Sequence, residues 1–231
     1  MDLTVFIPFF GGVSEAAPSA AANRKGYLQK TLDSVAEDLL PDFIVVGVAN
    51  EEDKKTVLSL GHEVSVVEFY DIDPIWLPYE LALWGQKNVI TEYIYFTEAD
   101  QVVHLNFNFL RLVKDSVFLA PHRLEKLGER GQGAHRGLVV TYQGEKYVLP
   151  NGEPQGGETY HPEKFVWGYG GATLMHYDFF TTIPYHKDLN LRVECISGID
   201  AYDKGHCLKT SNWEDFYVIH LSGEEYHNKL Q

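Results

Sequence analysis

Apolar positions along the first hundred residues fall into short blocks that alternate between two periods. Residues 3–10 form an apolar, β-rich run of strand length, suited to a strand buried on both faces. Residues 11–23 are small, polar and rich in Gly, Ala and Ser, and read as a loop. Between 25 and 40, Tyr27, Leu28, Thr31, Leu32, Val35 and Leu39 recur at helical spacing, and Pro41 closes that helix. Residues 43–49 (FIVVGVA) predict a second strand, and 51–60 a second helix ending at Gly61. A third strand is expected over 64–70 (VSVVEFY), a third helix over 78–89 and a fourth strand over 93–96. Strands and helices alternating through short connections predict an α/β fold with a Rossmann-like, mostly parallel central sheet flanked by helices.

Beyond residue 105 the pattern becomes irregular and aromatic-rich. Residues 110–119 have a helical pattern, and 124–136 are charged and read as surface. Residues 139–142 and 146–149 flank Gln143-Gly144-Glu145 as a hairpin would. A glycine-rich loop follows over 151–159, and 170–176 and 216–221 read as late strands. No Gly/Ser- or Pro-rich linker interrupts the chain, so one domain is expected over 1–231. It divides into a parallel α/β half, 1–105, and a more irregular half, 106–231. Ligands of doubly wound sheets collect at the carboxyl ends of the strands, so motifs at those ends carry the most weight.

Composition narrows the function. Of 231 residues 45% are hydrophobic and 13% aromatic, enough for a full core and too rich for disorder. Nineteen Lys and Arg stand against 33 Asp and Glu, a net charge of −14, which argues against a nucleic-acid partner. An acidic chain that binds an anionic nucleotide needs a local device, and a divalent metal is the usual one. The opening MDLTVFIPFF lacks a basic n-region, and no run is long enough to be an integral membrane segment, so a cytoplasmic location is the default expectation. Cys195 and Cys207 are too few for a disulfide scaffold and lack a zinc pattern; they read as buried thiols more readily than as a disulfide. No Gly-x-Ser-x-Gly elbow or P-loop is present.

An acidic-x-acidic pattern occurs at Glu51/Asp53, Asp71/Asp73 and Glu98/Asp100. The first pair falls in the opening turn of a helix, where negative charge is favourable. The second precedes Pro74 and fits turn chemistry. Glu98 and Asp100 instead follow Tyr93-Ile94-Tyr95-Phe96-Thr97, a run expected to be a central buried strand. Carboxylates at such a strand's mouth need a cationic partner, which a loop salt bridge or a hard divalent ion supplies equally well. Downstream, Trp167-Gly168-Tyr169-Gly170-Gly171-Ala172 sets glycines that allow close backbone approach beside rings suited to sugar stacking. A tight turn with packed aromatics explains the same residues. Asp200 also fits a helix cap, and His220 ends the apolar run Phe216-Tyr217-Val218-Ile219.

These motifs together resemble the GT-A-fold, nucleotide-sugar-dependent glycosyltransferases. Val5-Phe6-Ile7-Pro8 resembles the family's first strand, Arg24 through Val35 its following helix, and Glu98-Ala99-Asp100 its metal-binding Asp-x-Asp signature. The resemblance runs over residues 3–225 as scattered short motifs. It implies transfer of a sugar from a nucleoside-diphosphate sugar to a glycan or other hydroxyl acceptor, with Mn²⁺ (or Mg²⁺) as cofactor. Asp100, Glu98 and His220 would hold the metal, with His227 a weaker substitute for His220. Imidazole suits Mn²⁺ better than Mg²⁺. Pro8, Arg24, Asn50, Glu68, Gly170 and Gly171 would line the donor site, and Trp167 and Tyr169 would meet the sugar or acceptor. In an inverting mechanism Asp200 would be the base, with Glu194 and Asp203 behind it. The chain departs from the family at Phe9-Phe10-Gly11-Gly12, where a Tyr-Asn or similar pair is common, and at Glu98, where Asp is usual. The second acid, Asp100, is therefore the more dependable ligand.

Two other functions remain. A nucleotidyltransferase would share the sheet and metal, but its Gly-x-Gly-x-Arg loop is missing; Gly11-Gly12 leads to Val13-Ser14-Glu15, with no arginine before Arg24. A non-catalytic nucleotide- or glycan-binding protein of the same fold is the third reading.

Overall fold

The computed structural model describes residues 2–12, 23–105, 118–119, 121–125, 129–130, 138–142, 145–149, 172–185, 196–197, 200, 204 and 216–221. Strands β1 (Leu3–Phe9), β2 (Phe43–Val48), β3 (Ser65–Glu68) and β4 (Tyr93–Phe96) all run parallel. They stand in the order β3-β2-β1-β4, and the sheet continues through β11 (Thr173–His176) to β6 (Phe118–Leu119). β11 is antiparallel to both neighbours, so β6 points the same way as the first four. Elements from the second half of the chain therefore complete the sheet begun by the first.

β1 and β4 are interior strands, and their side chains divide between two cores. Phe6, Ile94 and Phe96 join Leu81, Ala82 and Phe180 on the side of helix α3 (Leu77–Asn88). Leu3, Val5, Ile7, Phe9, Tyr93 and Tyr95 join Leu28, Leu32 and Val35 on the side of helix α1 (Arg24–Ser34). The unbroken apolar runs of these strands follow from burial on both faces.

α1 does not continue regularly to residue 40. It widens into a π-helical turn, Val35–Leu39, and Leu40 takes φ 47°, a left-handed conformation. Pro41 disfavours a helical residue before it, which accounts for the abrupt ending. At the same junction Ser34 Oγ donates to Thr31 O at 2.9 Å and accepts the Val103 N–H at 3.1 Å. That contact docks β5 (Gln101–Leu105) against α1.

β5 begins a second sheet, ordered β5-β12-β7-β8, with β12 (Phe216–His220) antiparallel to β5 and parallel to β7 (His122–Glu125). β8 (Glu129–Arg130) pairs with β7. Its apolar residues Val103, Phe216 and Val218 share the α1-side core, and the Tyr95 and Phe216 rings lie 6.0 Å apart. β9 (Leu138–Tyr142) and β10 (Glu145–Leu149) form the expected hairpin.

One further expectation needs correction, and two stretches contain strands that the sequence did not reveal. Phe118–Leu119, expected at the end of a helix, is strand, because β11 offers it an open edge in the main sheet. Within the charged stretch 124–136, read as surface, Leu124–Glu125 belongs to β7 and Glu129–Arg130 forms β8, the edge strand of the second sheet. Residues 101–105, to which no element was assigned, form β5.

α3 reaches the sheet through a glycine. A Cβ placed on Gly85 would lie 2.6 Å from Phe6 Cζ and 3.2 Å from Phe180 Cζ. Beside it Gln86 Nε2 donates to Phe180 O and Ile183 O, at 2.7 and 3.0 Å, tying α3 to the segment after β11. In Gly85→Ala, overpacking against buried rings costs about 1–3 kcal/mol. That outweighs the ~1 kcal/mol by which alanine favours a helix. The urea midpoint is therefore expected to fall; a raised midpoint would show that the close approach does not constrain the core.

Candidate functional site

The carboxyl edge of the sheet is where the chemistry-bearing residues converge. β4 is buried along its whole length, and the Thr97 N–H extends its pairing by donating to Phe6 O at 3.0 Å. The chain then turns through Glu98, Ala99 and Asp100 and enters β5. At the far end of the turn the Leu221 N–H donates to Asp100 O at 2.8 Å, and Gln101 pairs with His220. The turn is thus tied to the main sheet at its start and to the second sheet at its end.

This geometry brings together Glu98, Asp100 and His220. One ligand atom from each lies within 4.8 Å of the other two. His220 Nε2 stands 3.2 Å from Asp100 Oδ2. The imidazole is buried, whereas both acids are half-buried. Two carboxylates and an imidazole fit a divalent cation of the Mn²⁺ kind, for which nitrogen and oxygen ligands are both acceptable.

The other expected site residues have separate surroundings. Pro8 lies in β1 opposite Gly47, two residues before its carboxyl end is passed at Phe10. Arg24 opens α1 and bends back to that end: Nη1 donates to Phe10 O at 2.6 Å, and the guanidinium carbon is 5.8 Å from the Phe10 ring centre. Asn50 caps α2 (Glu51–Leu58), its Oδ1 accepting the Asp53 N–H at 2.8 Å. Glu68 ends β3 and pairs with Lys54 Nζ at 2.5 Å; that bond, and then one from Tyr70, hold its carboxyl below the ordinary range. Asp73 caps the short 3₁₀ turn Pro74–Trp76, its Oδ1 accepting the Ile75 N–H at 3.1 Å.

Asp200 is not in the cluster. Its Oδ2 accepts from Lys204 Nζ at 2.6 Å, and the same ammonium donates to Thr182 Oγ1 at 3.0 Å and sits 5.5 Å from the Phe179 ring. Thr182 follows helix α4 (Tyr177–Phe180), which leaves the end of β11. Because β11 is antiparallel to β4, that end faces Tyr93, at the start of β4, whereas Glu98 and Asp100 follow its finish. Trp167, Tyr169, Gly170, Gly171, Glu194, Asp203, His227 and both cysteines lie outside the described residues.

Asp53 acquires a role that its place in a helical first turn did not reveal. It is 4% exposed; Oδ1 accepts the Gly11 N–H at 3.0 Å and Oδ2 accepts Asn50 Nδ2 at 2.8 Å. The Asn50-x-x-Asp53 spacing is the signal that was available, a reciprocal cap in which each side chain satisfies the other residue. The carboxylate links the carboxyl ends of β1 and β2. A Cβ on Gly11 would lie 2.7 Å from Asp53 Oδ1, so only glycine fits without displacement.

No protein-family model and no curated protein sequence matches the chain. Solved structures match it by fold. S. aureus TarS 1–349 is 12% identical, with 98% of this chain and 62% of that chain covered at TM-score 0.55. Its complex with UDP gives 13% identity, 95% and 60% coverage, and TM-score 0.58. A CMP:2-keto-3-deoxy-manno-octonic acid synthetase complexed with CTP gives 10% identity, 96% and 89% coverage, and TM-score 0.53. The chain thus spans about six-tenths of the TarS fragment. The neighbours comprise a GT-A-like nucleotide-sugar glycosyltransferase and nucleotidyltransferases, and the fold of this chain is GT-A-like. Among the described residues no helix is long and apolar enough to cross a membrane.

Burial pushes the Asp53 carboxyl above its ordinary 3.8, against the lowering effects of the Gly11 N–H and the Asn50 amide. A raised folded-state value means that the stability from this group is fully present below the unfolded value. It is lost as pH rises through the folded one. Asp53→Asn removes the titration. Urea unfolding from pH 3.5 upward should therefore show the variant gaining on the wild type as pH rises; a pH-independent difference would refute the assignment.

Proposed function

We propose that the protein transfers a sugar from a nucleoside-diphosphate sugar to a glycan or other hydroxyl acceptor, with Mn²⁺ held by Asp100, His220 and Glu98. The observation that carries this reading is the convergence of those three side chains at the carboxyl edge of a GT-A-like sheet. Open α/β sheets bind ligands at that edge. TarS, which shares the fold, has been solved with UDP and with UDP-GlcNAc. A divalent ion at this place neutralises the charge that grows on a departing nucleoside diphosphate.

The protein's own groups divide the remaining work. Arg24 sits at the end of β1 and offers positive charge beside the phosphates. Asn50, at the end of β2 and held by the buried Asp53, provides polar atoms for the nucleoside. Asp200 is paired with Lys204 and lies toward the start of β4, at the opposite end from the cluster, which favours a structural role over that of acceptor base. Asp200→Asn tests this: lost transfer with nucleotide binding retained marks a base, and unchanged transfer marks a structural ion pair.

Nucleotidyl transfer is the second reading. It is favoured by the synthetase match, which covers 89% of that chain against 62% for TarS 1–349. It predicts pyrophosphate release from a nucleoside triphosphate and a sugar or sugar phosphate, where glycosyl transfer releases a nucleoside diphosphate.

Thermal unfolding with UDP, GDP, CMP and CTP, each with Mn²⁺ or with EDTA, tests the site. A ligand at a hundred times its dissociation constant adds about 2.7 kcal/mol, enough for a visible shift in Tm. The expected result is a Mn²⁺-dependent shift with one nucleotide in the wild type and none in Asp100→Ala. No shift with any nucleotide withdraws the enzyme assignment, and an unchanged shift in Asp100→Ala leaves a metal-independent binder.

A further inference from the structure

We infer that Gln101 is the positioning residue that turns Glu98 into a ligand of the proposed metal site. The inference rests on the metal reading above. Gln101 is fully buried (0% exposed), as is Thr97 (1%), so an amide here needs partners. Both ends of it are engaged. Thr97 Oγ1 donates to Gln101 Oε1 at 2.9 Å, and Gln101 Nε2 donates to Glu98 Oε2 at 3.1 Å. An ionised carboxylate only accepts hydrogen bonds, which fixes the amide with its nitrogen toward Glu98. The hydroxyl of Thr97 then holds the opposite end.

The register adds the third side. Gln101 pairs directly with His220 in the antiparallel ladder of β5 and β12. Side chains of directly opposed residues stand on the same face, so the buried amide and the buried imidazole are neighbours. Thr97, Gln101 and His220 form a buried floor beside two half-buried acids.

This floor accounts for the glutamate in the signature. Glu98 has one more rotatable bond than an aspartate, and an untethered glutamate loses more rotamer freedom when it settles on an ion. The Gln101 amide engages Glu98 Oε2 and so fixes the orientation of the carboxylate. A neutral amide does this without adding charge beside the ligands, which a lysine or a second acid would do.

The test is a Mn²⁺ titration of the full chain, read by the EPR signal of the free ion, with the unfolding midpoint of the metal-free protein as a check on folding. Gln101→Leu is expected to weaken Mn²⁺ binding about 10-fold, the lower end of the effect of an outer-shell partner. In a Glu98→Ala background the same substitution should have no further effect, because Gln101 acts through Glu98. Thr97→Val should weaken binding in the same direction and Thr97→Ser should restore it, which keeps the test decisive if Gln101→Leu does not fold. Equal losses with and without Glu98, or unchanged affinity in both Gln101→Leu and Thr97→Val, overturn the inference while leaving the metal site standing. If the wild type binds no Mn²⁺, or Asp100→Ala binds it as well as the wild type, the metal reading itself fails.

Discussion

The turn from Thr97 to Asp100 is the constraint on which the rest of the site depends. It begins as an extension of β4, with the Thr97 N–H on Phe6 O, and ends held by Leu221 N–H on Asp100 O. Four residues thus carry the chain from one sheet to another. A carboxylate on so short a bridge has little freedom, and His220 reaches it because the Gln101–His220 register places the end of β12 there. If β12 slipped by one residue along β5, His220 would turn to the opposite face and the cluster would dissolve. Packing at Tyr95 and Phe216 secures the alignment of the two sheets. The chemistry at the mouth is in this sense a consequence of apolar pairing several residues below it.

The parallel half was legible because its signals are local. Apolar runs at 3–10, 43–49 and 93–96, helical spacing at 25–40, and Asp73 and Pro41 at boundaries all act within a few residues of themselves. The second sheet is different. Gln101–Leu105 follows the acidic turn with no breaker between, and its polar residues Gln101 and His104 obscure a strand whose partner is more than a hundred residues away. Phe118–Leu119 becomes strand only because β11 presents an open edge. Such elements are decided by pairing, and pairing is long-range.

The candidate site divides along the same line. Glu98 and Asp100 stand out because acids at the end of a buried strand conflict with burial. His220 stands out by ending an apolar strand, although the sequence alone offered ten histidines. Asp53 was hidden by an adequate local explanation, first-turn charge on α2. Its buried bond to the Gly11 N–H crosses 42 residues. Gln101 was hidden for a simpler reason: a neutral amide beside two acids announces no chemistry until the direction of its hydrogen bonds is seen. Asp200 shows the reverse case: a carboxylate at a favourable place in the sequence is paired with Lys204 in the fold.

An acidic chain that takes an anionic donor must place positive charge with economy, and the two helices entering the carboxyl edge do so unequally. α2 begins with Glu51, Glu52 and Asp53 behind the Asn50 cap, so its amino end is already answered by negative charge. α1 begins at Arg24, with no acidic residue in its first turn and no side-chain cap from Asn23. Arg24, the only arginine within the first hundred residues, thus falls at the mouth of β1. In the proposed reading a donor diphosphate would lie between Arg24 and the Glu98–Asp100–His220 cluster, with its nucleoside toward Asn50. The same polarity weighs against the triphosphate of a nucleotidyl donor. Its greater charge would call for more cations at the β1 mouth, where Arg24 already spends one of its donors on Phe10 O.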